Sequence, residues 1–187
     1  KGPEAMAPAA AHVGLSRDIL AADEPGLRRF ARLCVRAGVT TATDLASQLP
    51  QKAVEMMLRV TGESDFPLRV VSFRRLIGLS PAEVVARAQE LKAVSTDRLR
   101  LGTVKIVVDG SIQGFSARLL WPGYYNGAPN GLWYVTPEQL RDTLALALKH
   151  DIQVHAHTNG DEATALVLDC MEEALTHTPS RDHRFTL

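Results

Sequence analysis

Apolar residues along this chain recur with two periods: every three to four residues in some stretches, and every second residue or continuously in others. The first period is typical of helices that bury one face, and the second is typical of buried strands. Helices are predicted over residues 25–37, 51–60, 81–94, 137–150 and 160–176. Strands are predicted from 39 to about 44 and over 67–73, 103–110 and 152–158, with a further strand beginning at 183. Strands and helices therefore alternate from residue 39 onward.

Several helix starts carry capping patterns. The segments Ser80–Glu83 (SPAE) and Thr136–Gln139 (TPEQ) have a hydroxyl residue as cap, Pro at the first helical position, and Glu or Gln three residues after the cap. At a third helix start, Asn159 is expected to be the cap and Glu162 its capping-box partner.

The alternation of strands and helices predicts an α/β fold with parallel strands joined by right-handed crossovers. The strand over 103–110 is apolar on both faces except at Lys105 and Asp109, as expected for a strand covered by helices. An open doubly wound sheet and a (β/α)8 barrel both fit this order. A closed barrel needs eight strands and about 250 residues, so a barrel would be present here only in part.

Composition and charge argue against several classes of partner. The chain has 187 residues, and its 21 Lys and Arg balance its 21 Asp and Glu, so nothing favours a nucleic acid or an anionic membrane. No uncharged apolar run is long enough to span a membrane, and no secretion signal is visible, so we expect a cytoplasmic protein. Cys34 and Cys170 lie in separate helical stripes and are expected to be buried, reduced thiols.

Two charged residues interrupt the most apolar strand. Side chains alternate in direction along a strand, so Lys105, Val107 and Asp109 share one face. A buried lysine cannot stay charged without a partner, and burial lowers its pKa and frees the amine to react. Three interpretations stay open: the amine reaches solvent, it pairs with a carboxylate such as Asp109, or it is a functional group.

The next strand carries His155 and His157 on one face. His157 lies near the carboxyl end of its strand, where barrel enzymes place catalytic groups, and a packed, hydrogen-bonded histidine is the alternative. His155 lies deeper and is open to a supporting role or to direct metal ligation. Asp161 opens the following helix, where its charge complements the helix dipole, and a role in the site is an equal alternative.

A long loop, residues 111–135, follows the strand that carries Lys105. It holds both Trp and all three Tyr of the chain. Long loops after barrel strands usually have a function, and their aromatic side chains can line an apolar pocket. The candidate substrate-binding residues are Ser111, Trp121, Tyr124, Tyr125 and Trp133. Packing of the aromatic residues onto the rim is the alternative.

Four segments together resemble one family: GVTTATDLA (38–46), VKIVVDGS (104–111), VHAHTNGDEA (154–163) and RDHRFTL (181–187). They are similar to the amidohydrolase superfamily, in the branch of metal-dependent amide hydrolases that includes N-substituted formamide deformylases. The resemblance implies a partial (β/α)8 (TIM) barrel with a parallel sheet, roughly strands 2 to 6 with their helices. It would form a single catalytic unit over residues 1–187, with an irregular, linker-like start at 1–24.

The resemblance also implies a metal centre. Lys105 matches a lysine that CO2 carboxylates so that it bridges two metals. His157 matches the metal ligand of the fifth strand, and His155 is a further candidate ligand. Asp109 and Asp161 are the candidate catalytic residues. The implied cofactor is one or two divalent ions, with zinc expected, which activate water to cleave the C–N bond of a small-molecule amide.

The match to the family has gaps. The first-strand H-x-H pair is missing, since His12 is the sole N-terminal histidine, and the sixth-strand motif begins at His183 without its second histidine. The expectation is therefore an internal fragment, inactive or nearly so by itself. A non-catalytic binding module that forms a homo-oligomer through exposed sheet edges is the alternative. A phosphate-binding doubly wound sheet lacks support, because no glycine-rich fingerprint follows a strand.

Overall fold

A computed structural model describes residues 23–76 and 78–187 as alternating helices and strands. The helices are α1 (Glu24–Arg36), α2 (Gln51–Gly62), α3 (Pro81–Ala93), α4 (Pro137–Lys149) and α5 (Asp161–His177). The strands are β1 (Thr41–Ser47), β2 (Arg69–Arg75), β3 (Leu99–Val107) and β4 (Val154–His157). Most of the predicted linker-like start, residues 1–22 with His12, lies outside the described residues.

The strands form one parallel sheet in the order β1-β2-β3-β4, and each strand pairs with the next along the chain. The sheet curls into half a barrel with alternating helices, so the predicted partial (β/α)8 barrel is confirmed. The strand predicted from His183 is reduced to one parallel bridge between Thr186 and His155. Because the strands are parallel, their carboxyl ends meet at one rim.

Local sequence sets the helix starts. Both predicted capping boxes, Ser80–Glu83 and Thr136–Gln139, are present with their reciprocal hydrogen bonds. The expected cap of α5 is wrong: Gly160 is the N-cap, and as a glycine it has no side chain to accept a capping hydrogen bond. Asn159 is engaged elsewhere, since its side-chain amide donates to Gly110 O at 2.7 Å.

The apolar core lies between the sheet and its helices, in two clusters. The larger cluster packs Val104 and Ile106 of β3 and Val154 of β4 against α3, α4 and α5. The smaller cluster packs Val70 of β2 and Leu99 of β3 against α1 and α2. Within the part of the chain described, every helix is too short or too polar to cross a membrane. The opposite, concave face of the sheet carries a mixture of apolar and polar side chains, among them Phe73, Lys105 and His155.

A β-bulge in β3 decides which side chains face the barrel interior. Between the pairs that Val71 and Phe73 form with β3, that strand carries one extra residue. The bulge includes Gly102, whose φ of +78° is unfavourable for a residue with a Cβ. Before the bulge, Leu99 packs into the helix-side core. After it, Lys105 faces the interior, where its amine contacts β4.

Gly102→Ala is expected to lower the free energy of unfolding by about 2–4 kcal/mol in a urea titration. The added Cβ would lie 2.5 Å from Lys92 Cβ and 2.6 Å from Ala88 O, in addition to the strained φ. Gly38→Ala is the matched control, because Gly38 has a φ of +77° and nothing within 4 Å of its added Cβ. It should cost about 1 kcal/mol. Equal losses in the two variants would contradict a packing role for Gly102.

Candidate functional site

The interior face of the half-barrel brings the predicted lysine and histidines together. In the parallel register of β3 and β4, Lys105 is opposite His155 and Val107 is opposite His157. Residues paired in this way project to the same side of a sheet. The amine and both imidazoles therefore project into one hollow, with His157 nearest the carboxyl rim.

Lys105 and His155 form a direct pair below the rim. Lys105 Nζ lies 2.6 Å from His155 Nδ1, and Lys105 is 7% exposed. Burial lowers the pKa of Lys105, and the nearby Arg75 guanidinium lowers it further. Burial likewise lowers the pKa of His155, with smaller contributions from Lys105 and His157. Both shifts act in favour of the neutral form of each group, and a neutral amine can donate to the imidazole lone pair.

Two of the three interpretations of Lys105 do not fit the structure. The lysine is too buried to reach solvent, and it does not pair with Asp109. The buried Asp109 carboxylate instead accepts three backbone hydrogen bonds, from Arg118 N at 3.0 Å, Asn159 N at 2.9 Å and Gly160 N at 2.8 Å. It therefore holds the long loop over residues 111–135, called the aromatic loop below, and the β4–α5 turn at the end of β3. A catalytic role for Asp109 stays a prediction.

Stability is expected to rise with pH through the titration of Lys105. The unfolded lysine has an ordinary pKa of 10.5, and its pKa in the folded chain lies below that value. Between the two values the unfolded state binds more protons, so the free energy of unfolding increases with pH. Urea unfolding at a series of pH values from neutral up to about 10.5 measures this slope. Lys105→Met should reduce it, whereas Lys52→Met, on an exposed part of α2, should not.

An unchanged slope in Lys105→Met would indicate that the amine stays charged in the folded chain. The same outcome would contradict the neutral pairing of Lys105 with His155.

His157 lies at the mouth of the half-barrel, where its half-buried ring is held by Asn159. Asn159 Nδ2 lies 3.1 Å from His157 Nε2, and the same amide donates to Gly110 O. A contact of this kind orients the imidazole ring. Asn159 therefore links the His157 ring to the backbone at the end of β3.

Asp161 also connects the aromatic loop to the start of α5, but it lies outside the cleft. Its exposed carboxylate accepts hydrogen bonds from Leu120 N at 2.8 Å and Glu162 N at 3.0 Å. Next to it, the Arg118 guanidinium donates to Glu162 at 2.8 Å and lies 4.8 Å from the centre of the Trp133 ring. Asp161 thus holds the aromatic loop against α5, and its catalytic role stays a prediction.

A cleft of about 1280 Å³ opens at the carboxyl rim, above the Lys105–His155 pair. Its walls come from the ends of the strands and from the aromatic loop. They include Arg75, Asp109, Ser111, Phe115, Leu132, Tyr134 and His157. The structure thus brings His157, Asp109 and Ser111 from the predicted site into one space.

Of the five predicted substrate-binding residues, Ser111 alone lines this cleft. Trp121 and Tyr125 are fully exposed, at 94% and 104%. The Tyr124 hydroxyl donates to the backbone of its own loop at 2.9 Å, and Trp133 lies against a guanidinium. Packing on the rim therefore describes Tyr124 and Trp133. Substrate contact by the four aromatic residues stays a prediction.

Phe115, Leu132, Tyr134 and Arg75 line the cleft but were not predicted as site residues. Phe115, Leu132 and Tyr134 present half-exposed apolar surface on the loop side. Arg75 was overlooked because β2 was predicted to end at Phe73, two residues before its observed end. The pattern that could have revealed Arg75 is an arginine pair directly following an apolar strand.

The described residues near the cleft include side chains of the kinds that bind metals. Within residues 23–76 and 78–187, no three His, Cys, Asp or Glu side chains are grouped as metal ligands. The nearby donors are the imidazoles of His155 and His157 and the amine of Lys105, which carboxylation would convert into an oxygen donor. Zinc accepts imidazole and carboxylate-type ligands and usually takes four. The donors fit such an ion in kind, and further ligands are needed to complete the set.

A second, apolar groove of about 720 Å³ runs along α5 and the segment 183–187. His183 borders this groove, and its Nδ1 accepts a hydrogen bond from Phe185 N at 3.0 Å. The residue that matches the start of the sixth-strand motif therefore does not line the cleft that holds His157.

Parallel βα units with a polar cleft at the carboxyl rim are the arrangement of (β/α)8-barrel enzymes. Residues 5–187 match the amidohydrolase family, and the chain belongs to that family. It is also 29% identical over 170 residues to Protein LONG AFTER FAR-RED 3 of Arabidopsis thaliana. That match covers 86% of this chain and 29% of the plant protein.

Two solved structures share the fold. They are uncharacterized metal-dependent hydrolases from Pyrococcus furiosus and Pyrococcus horikoshii OT3, with TM-scores of 0.61 and 0.59 and sequence identities of 23% and 21%. The matches cover 79% and 78% of this chain, and 30% and 29% of those proteins. The chain thus spans less than a third of the length of each relative.

Proposed function

We propose that the protein containing this chain is a metal-dependent hydrolase that cleaves the C–N bond of a small-molecule amide. The observation that carries the proposal is the grouping of Lys105, His155 and His157 on one interior face beside a large cleft. Membership of the amidohydrolase family supports the hydrolase class. The metal dependence in the names of both Pyrococcus proteins supports a divalent ion. The same proposal assigns the protein to the branch of amide hydrolases that includes the N-substituted formamide deformylases.

The surroundings of Lys105 support carboxylation of its amine. A neutral amine can form an N–C bond with CO2, and burial, by lowering the pKa of Lys105, increases the neutral fraction of this amine. The proton released in that step can pass to His155 Nδ1, which lies 2.6 Å from the amine. The resulting carbamate would be an anionic ligand, so its binding to a cation would offset the cost of placing a lysine in the interior.

Lys105 as carbamate and His157, with His155 as a further candidate, would hold the metal, for which zinc is the expected ion. When bound, a divalent metal polarises the substrate carbonyl and lowers the pKa of its water ligand. The chain's own residues prepare the site. Asn159 orients the His157 ring, and Asp109 keeps the loop and the β4–α5 turn in place around the cleft.

Metal content and amide hydrolysis of the natural full-length protein test the proposal. Lys105→Ala and His157→Ala should each lower the zinc bound per chain, and the hydrolysis of N-substituted formamides, by at least about tenfold, because each removes a ligand. His150→Ala is the matched control. This exposed histidine follows α4 and contacts Gln89, so its loss should change neither quantity.

Full metal content in Lys105→Ala would argue against the carbamate. A natural protein that binds no metal and hydrolyses no amide would contradict the hydrolase proposal as a whole. Self-association in sedimentation experiments would then support the alternative, a binding module that pairs through its sheet edges.

A further inference from the structure

Arg75 is a cation at the cleft with no partner among the described residues. It ends β2, is paired in register with Lys105, and lines the cleft. Its Nε is shielded from solvent and has no hydrogen-bond partner in the described part of the chain. The adjacent Arg74 also has a shielded Nε without a partner, but its Nη1 donates to Gln48 O, whereas the Arg75 guanidinium makes no hydrogen bond within the described residues. A buried donor without a partner is rare in folded proteins, and a bound ligand is one way to satisfy it.

The described walls of the cleft offer Arg75 no counter-charge. Asp109 is the one acidic residue among them, and its two oxygens already accept three backbone hydrogen bonds. The other polar groups around the cleft are neutral hydroxyl and amide side chains, such as Ser80, Ser111 and Gln139, together with the His157 imidazole. A cation in a cleft of this kind raises the local concentration of anions.

We propose that Arg75 forms a subsite for the carboxylate of the substrate, which makes small carboxylate-bearing amides the substrate class. This inference rests on the proposed hydrolase function. A guanidinium binds a carboxylate through two parallel N–H···O hydrogen bonds. From β2 to β4 the sheet extends about 10 Å, so a molecule with a carboxylate and an amide a few carbons apart can reach both Arg75 and His157.

Binding of succinamate and of its neutral analogue succinamide to the natural full-length protein, prepared without metal, tests the inference. The two ligands differ in one charged group, and calorimetry without added metal gives both Kd values. Succinamate should bind about tenfold more tightly than succinamide. Arg75→Gln should make the two Kd values equal. Arg69→Gln, an exposed arginine at the start of the same strand, removes the same charge outside the cleft and should keep the preference.

Equal Kd values in the unaltered chain, or a preference retained in Arg75→Gln, would overturn the inference. Because binding is measured without metal or turnover, failure of the Arg75 assignment is distinct from failure of the hydrolase proposal. The latter is decided by the metal content and amide hydrolysis of the full-length protein.

Discussion

Replacing Asp109 with alanine is expected to lower the free energy of unfolding by about 3–5 kcal/mol. The carboxylate is fully buried, and its loss leaves the backbone N–H groups of Arg118, Asn159 and Gly160 without their acceptor. A hydrogen bond to a charged group contributes about 1.5–3 kcal/mol, and the three share one side chain, so their losses are less than additive. Urea unfolding followed by circular dichroism measures the change.

Asp161→Ala is the matched control for Asp109→Ala. Its carboxylate also accepts two backbone hydrogen bonds at the same junction, but it is exposed, so water can replace it. The expected loss is about 1 kcal/mol. If Asp109→Ala cost no more than Asp161→Ala, the three bonds to Asp109 would not be what holds the junction together.

Gly160→Ala is expected to lower the free energy of unfolding by about 3 kcal/mol or more. The added Cβ would lie 1.7 Å from the carbonyl oxygen of Arg118. Since the φ of Gly160 is −86°, which suits any residue, the cost comes from this overlap. The loop has little freedom to retreat, because Arg118 N is bonded to Asp109. The same unfolding measurement applies, and limited proteolysis should show earlier cleavage of the loop.

Gly62→Ala provides the control of opposite sign. Gly62 ends α2, and an added Cβ there meets nothing within 4 Å. Alanine favours the helix over glycine, so a gain of up to about 1 kcal/mol is expected. A loss at Gly160 no larger than the change at Gly62 would mean that the loop relaxes away from α5 at little cost.

The order and parallel arrangement of the strands could be predicted because they depend on local periodicity and on a general rule of chain connection. The bounds of the strand that carries Lys105 were predicted less accurately: residues 103–110 were predicted, and Leu99–Val107 is observed. The bulge at Gly102 interrupts the alternation, so the first half of the strand does not share the phase of the second. Beyond Val107 the ladder ends, and the backbone turns toward the loop.

One part of the candidate site could be predicted from the alternating direction of side chains along a strand: the shared face of His155 and His157. The pairing of Lys105 with His155 needed the register between β3 and β4, which sequence periodicity does not provide. The partners of Asp109 include residues 50 and 51 positions away, so its binding to backbone N–H groups could not be foreseen. The aromatic loop was expected to line a pocket, but its packing depends on contacts with Arg118 and α5 that only the folded chain defines.

The carboxylate of Asp109 joins chain segments that lie 9, 50 and 51 residues from it, and this couples their local fluctuations. The backbone amides of Arg118, Asn159 and Gly160 should exchange their hydrogens through one shared opening event. Whatever loosens the loop also releases the turn that orients His157. The mouth of this half-barrel should therefore open as a single unit. A ligand whose entry requires this opening would enter only while the His157 imidazole is displaced from its position in the folded chain.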